Sequence, residues 1–152
     1  MTVSPSLPLT GACRCGEVRL RIMAEPILTM ACHCTGCQKM TAGPYSLSAA
    51  VPATGFSVTQ GEPVIGGLHS EMLHHFCCPH CLSWLFTRIE GLPDMVNVRA
   101  TMLDDITWYR PFIETYTCEK LDFAETGAAH SYERFPPMED FERLIAAYHA
   151  EG

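Results

Sequence analysis

Eight of the nine cysteines in this chain stand in three tight groups, and no other feature restricts the fold as strongly. The groups are Cys13-Arg-Cys15-Gly16, Cys32-His-Cys34-Thr-Gly-Cys37 and Cys77-Cys78-Pro-His-Cys81. In an extended strand residues i and i+2 project to the same side, so Cys13 and Cys15 can present two thiolates to one ion. A Cys-x-x-Cys turn does the same by folding back, and Pro79 favours such a turn between Cys78 and Cys81. The two pairs are natural halves of a four-cysteine zinc site. Joining them holds together Cys15 and Cys78, which are 63 positions apart, at an entropic cost that a strong metal bond offsets.

The middle group offers three thiolates, Cys32, Cys34 and Cys37, and leaves one position of a tetrahedral ion unfilled. Structural zinc sites are closed by four protein ligands, whereas catalytic ones keep a position for water or substrate, so three local thiolates fit a second, open zinc. Cys77, Cys118, His33 and His80 are the candidates for a fourth ligand. Cys118 is alone and reads as a small core hydrophobe, and Cys77 reads likewise. His33, His74, His75 and His80 could serve as ligands or bases, but an isolated histidine is more commonly a satisfied or exposed side chain.

Composition decides between metal and disulfides. No cationic segment followed by a long apolar run opens the sequence, and no stretch approaches about 18 uninterrupted apolar residues, so neither a signal peptide nor a membrane span is expected. A cytoplasmic setting follows as the default, and a reducing compartment turns a cysteine-rich chain towards metal binding. The 152 residues, 47% of them hydrophobic, suit a single zinc-binding domain spanning 1–152. A formal charge of −7 with only ten Lys and Arg argues against a nucleic-acid partner.

Residues 17–22 alternate polar and apolar, which puts Val18, Leu20 and Ile22 on the core side of a strand. Further short strands are expected at 45–51, 56–59, 73–77, 95–100 and 113–117, separated by turn formers such as Gly66-Gly67 and Pro93-Asp94. After Pro136-Pro137, the spacing of Phe141, Leu144, Ile145 and Tyr148 predicts a helix over about 138–149. The remainder reads as antiparallel β.

Taken in order, Gly-x-Cys-x-Cys-Gly-x-Val at 11–18, Cys-His-Cys-x-x-Cys at 32–37 and Cys-Pro-x-Cys at 78–81 resemble the glutathione-dependent formaldehyde-activating enzyme family, which includes centromere protein V. The resemblance spans roughly Gly11 to Pro136. It implies a mainly β fold, small antiparallel sheets in a tent-like arrangement around zinc, with the one C-terminal helix read above. It implies a structural zinc on Cys13, Cys15, Cys78 and Cys81, and an activity-associated zinc on Cys32, Cys34 and Cys37. Two positions depart from the family pattern: Leu82 follows Cys81 where glycine is usual, and Gln38 stands where a basic residue is frequent.

The activity implied is reversible addition of glutathione to formaldehyde, a carbon–sulfur lyase reaction giving S-hydroxymethylglutathione. Zinc bound by three thiolates is a modest Lewis acid but exchanges thiols well, which suits glutathione or another small thiol attacking an aldehyde carbon. A zinc-stabilised binding module without catalysis is the alternative. Its chromatin-type version lacks electrostatic footing, since none of the ten residues before Gly11 is Lys or Arg.

Overall fold

The computed structural model describes residues 3–151, so the ends of the expected 1–152 domain (1, 2 and 152) lie outside the described residues. Among the described residues eleven strands are formed: β1 Leu9–Ala12, β2 Arg19–Ile22, β3 Leu28–Cys32, β4 Ser46–Pro52, β5 Phe56–Gln60, β6 Val64–Gly66, β7 Leu73–Cys77, β8 Trp84–Ile89, β9 Met95–Arg99, β10 Ile113–Thr115 and β11 His130–Ser131. A short helix α1, Thr35–Thr41, follows β3, and α2, Phe141–Glu151, ends the chain. No helix of the described residues is long and apolar enough to cross a membrane.

Two sheets result. β1, β2 and β5 form an antiparallel three-stranded sheet, and the other eight strands run in the order β11-β10-β3-β4-β9-β8-β7-β6. The mainly β architecture with a C-terminal helix matches the expectation. The larger sheet is antiparallel except at one end, where β10 pairs in parallel with both β3 and β11. That parallel end and helix α1 were not legible in the sequence.

The alternation of β2 is realised: Leu20 and Ile22 are buried and Arg19 and Arg21 exposed. With Val18 they enter a core between the sheets that also takes Leu9, Val51, Phe56, Leu85, Val96 and Val98. A second cluster, Leu28, Met30, Phe112, Ile113 and Leu144, lies under α2. Phe141 and Tyr148 pack against it only partly buried, so Leu144 is the anchor of the helix. β3 is buried along its first four residues, which is why it shows no polar alternation, and it carries Cys32 at its carboxyl end, between β10 and β4. Gly11 explains the first residue of the amino-terminal motif: its backbone bridges to Leu103, and a Cβ there would collide with the Met102 carbonyl.

Candidate metal centres and cavity

The chain from β1 into β2 turns at Cys13–Gly16, closed by Gly16 N–H donating to the Cys13 carbonyl at 3.0 Å, with Gly16 at φ +80°. The expected strand geometry for Cys13 and Cys15 is therefore corrected: a tight turn, enabled by glycine's access to positive φ, converges the two sulfurs to 3.6 Å. Across from it the β7–β8 connection folds back as anticipated. Both the His80 and Cys81 N–H groups donate to the Cys78 Sγ at 3.4 Å, and Leu82 N–H reaches the Cys78 carbonyl at 3.0 Å. The Arg14 N–H donates to Ser83 Oγ at 3.2 Å and joins the two turns.

Cys15 and Cys78 Sγ are 3.7 Å apart, and the ligand atoms of Cys13, Cys15, Cys78 and Cys81 all lie within 4.8 Å of one another. A tetrahedral ion with Zn–S bonds of about 2.3 Å requires S···S edges of about 3.8 Å. The cluster has those dimensions, and its spacing is far beyond a disulfide bond of about 2.05 Å. Hydrogen bonding from Ser83 lowers the Cys81 thiol to about 5, so this sulfur is prepared as a thiolate.

Leu82, next in the chain, sits at φ +63° with its side chain 71% exposed. The left-handed conformation strains a Leu and suits glycine, which accounts for the residue usual there. Leu82→Gly is expected to stabilise the protein by about 0.5–1 kcal/mol, since relief of strain exceeds the added chain entropy and little buried surface is lost. A thermal melt checks this. A lower melting temperature would mean the Leu82 side chain contributes more by packing than its backbone costs.

The second cluster is built at a strand-to-helix junction. Cys32 ends β3, Cys34 caps α1 with its Sγ accepting the Cys37 N–H at 3.3 Å, and Cys37 lies in the first turn of the helix. Their three ligand atoms lie within 4.8 Å of one another. The hydrogen bond from Cys37 brings Cys32 down to about 5, and the same pairing pushes Cys37 up. One sulfur ionises readily while its neighbours resist a second and third negative charge, a conflict that a divalent cation relieves. The donor set fits a thiophilic metal.

Among the described residues none of the four candidate fourth ligands joins this cluster. Cys77 is buried as expected, but Cys118 is exposed, not a core hydrophobe, because it lies on the one-turn segment Thr117–Glu119 at the surface. His80 is exposed and His74 pairs with Glu90 near the surface. His33 is fully buried, and its Nε2 meets Glu114 Oε2 at 2.8 Å. Burial would raise Glu114, but hydrogen bonds from Ser131, His33 and Thr126 hold its carboxyl below the usual value. Gln38 donates from Nε2 to the His33 and Glu119 carbonyls at 2.7 and 3.0 Å, so its amide nitrogen braces α1.

Cys32, Cys34 and Cys37 border a cavity of about 610 Å³. Its walls include the apolar Met30, Leu73, Trp84, Ile89 and Phe135, and its polar groups include His75, Asn97, Arg99 and Glu119. The Arg99 guanidinium carbon lies 3.9 Å from the centre of the Trp84 ring, and the side chain is only 8% exposed. Burial draws Arg99 down to about 10, which leaves it cationic at neutral pH, with the Cys37, Tyr109 and Cys32 charges opposing the fall. Sequence reasoning missed Arg99 and Asn97. They alternate with buried Val96 and Val98, a pattern that ordinarily assigns the polar residues to solvent.

The sequence profile of the glutathione-dependent formaldehyde-activating enzyme family matches residues 8–119. A Halomonas elongata protein carrying the same family description is 31% identical over 104 residues, which are 63% of this chain and 66% of that relative. The match thus spans just under two thirds of the relative's length. A Rhodobacter sphaeroides protein of known crystal structure shares the fold, with a TM-score of 0.53 at 17% identity over 64% of this chain and 90% of that one.

Proposed function

Because the chain belongs to the glutathione-dependent formaldehyde-activating enzyme family, we propose that it binds two zinc ions and catalyses the addition of a small thiol, glutathione first among them, to formaldehyde. The observation that carries this reading is the contrast between the clusters: four sulfurs close the first, while three sulfurs face a cavity at the second. A metal held by three thiolates supplies, when bound, a free coordination position where a thiol loses its proton and stays nucleophilic.

The overall step forms a sulfur–carbon bond, converts the aldehyde C=O to C–OH, and moves the thiol proton to that oxygen. The residues of the cavity divide this work. Met30, Leu73 and Ile89 give the aldehyde an apolar wall to pack against. His75 is the group suited to pass the proton. Its Nδ1 is 2.8 Å from Thr87 Oγ1, which also accepts from Trp84 Nε1; with the Thr87 hydroxyl donating to Nδ1, the tautomer used in this reading, the ring proton resides on Nε2. Burial, with Arg99 and His74 nearby, lowers the His75 pKa and favours the neutral ring.

Elemental analysis of protein purified without chelator is expected to give about two zinc ions per chain. The reaction itself is followed by NMR exchange between S-hydroxymethylglutathione and free formaldehyde. The intact protein should accelerate exchange and Cys34→Ser should abolish the acceleration. A rate no greater than the uncatalysed one at every glutathione concentration would sink the enzymatic reading and leave a zinc-stabilised binding module.

A further inference from the structure

Arg99 is a buried cation with no counter-ion in hydrogen-bond contact among the described residues. Its Nε has no hydrogen-bond partner there, and neither has Oδ1 of Asn97. The two residues stand at i and i+2 on the same face of β9, with relative exposures of 8% and 9%, and both line the cavity that holds Cys32, Cys34 and Cys37. A buried donor or acceptor is ordinarily paired, because leaving it unsatisfied forfeits its hydration with nothing in return. Packing has gone some way to retain this one: the guanidinium lies flat enough on Trp84 to place its carbon 3.9 Å from the ring centre. The neighbouring three-cysteine cluster offsets the charge through space, but it gives the guanidinium Nε no acceptor.

We propose that Arg99 and Asn97 form an acid-recognising subsite, so that the thiol ligand of this cavity carries a carboxylate. The carboxylate accepts from the guanidinium, and Asn97 Oδ1 accepts an N–H group adjacent to the acid, as found beside the carboxylate of an acylated cysteine or a short peptide. This deepens the proposed function and rests on it, because it presupposes that a thiol occupies the cavity beside the three-cysteine cluster. It gives specificity a physical origin. The cavity's other walls are largely apolar, and a fixed, desolvated guanidinium distinguishes an acid from its neutral isostere far better than a hydrated surface lysine does. Gln38, engaged with two backbone carbonyls, is not free to fill that role.

The test compares N-acetylcysteine with N-acetylcysteine amide on the zinc-loaded protein by titration calorimetry. The pair differs in one charge, and the amide is the more acidic thiol, so thiol ionisation alone would favour the amide. Binding of the acid at least tenfold tighter supports the subsite, a ratio that a charge-assisted hydrogen bond supplies. Arg99→Met, which retains packing on Trp84, should bring the ratio close to one. Equal binding of acid and amide to the unaltered protein overturns the subsite and leaves the thiol reading standing. Failure of both to bind overturns the thiol reading and the subsite with it. Should Arg99→Met not fold, the comparison on unaltered protein still decides.

Discussion

Cys78→Ser is expected to yield a chain without a cooperative thermal transition, whereas Cys37→Ser remains folded with one metal ion in place of two. Cys78 is fully buried in the core between the sheets, and its sulfur gathers two backbone N–H groups. It ties the β7–β8 turn to the β1–β2 turn at a separation of 63 positions from Cys15, so this cluster is a tertiary cross-link. A structural four-thiolate zinc contributes on the order of 10 kcal/mol or more, comparable with the whole stability of about 5–15 kcal/mol of a typical protein. The three-cysteine cluster is local, and α1, which carries Cys37, buries no residue. Losing its metal removes no long-range link. Circular dichroism melts with metal analysis separate the two variants, and equal destabilisation by both would undo the division between structural and open clusters.

The sequence disclosed the cysteine pairing because metal-ligand spacing is a local property and the choice of partners is small. It was less informative about how each pair converges. Cys13 and Cys15 meet in a turn set by Gly16 instead of along a strand, since the hydrogen bond from Gly16 to Cys13 outcompetes extension there. Strands β2, β4, β5, β7, β9 and β10 were legible from short apolar or alternating runs bounded by turn formers. β3 and β8 were not, because each is buried on both faces along most of its length and so has no polar beat. The parallel placement of β10 beside β3 is equally hidden, as it depends on a pairing between Ile113–Thr115 and Met30–Cys32, far apart in the chain, and not on either segment's composition. The polar wall of the cavity escaped for the opposite reason. Asn97 and Arg99 obey the alternation rule but face a cavity lined by residues distant in sequence, among them Cys32, Trp84 and Phe135, and no local pattern distinguishes that space from solvent.

Glu114→Ala is expected to weaken metal binding at Cys32, Cys34 and Cys37 by about 10–100-fold while leaving the four-cysteine cluster unchanged, the range typical when a group orienting a metal site is removed. The reason lies in His33, the residue between the first two of those cysteines. Its N–H donates to the Thr115 carbonyl at 3.0 Å and its buried ring is fixed by Glu114, so backbone and side chain together hold the Cys32–Cys34 segment against β10. The carboxylate also accepts from Thr126 and Ser131 at 2.7 and 2.6 Å, so its removal breaks three hydrogen bonds at once and leaves the buried His33 ring without its partner. Because Glu114 has a lowered folded pKa, its contribution is present above the ordinary carboxylate range and is lost as pH falls through the folded value, so neutral pH shows the full effect. Glu114→Gln retains one acceptor and should fall between. Chelator competition resolves the two clusters by their order of release, with a melt run in parallel. If both clusters weaken together and in proportion to the melting temperature, Glu114 supports the fold as a whole and not the geometry of the three cysteines.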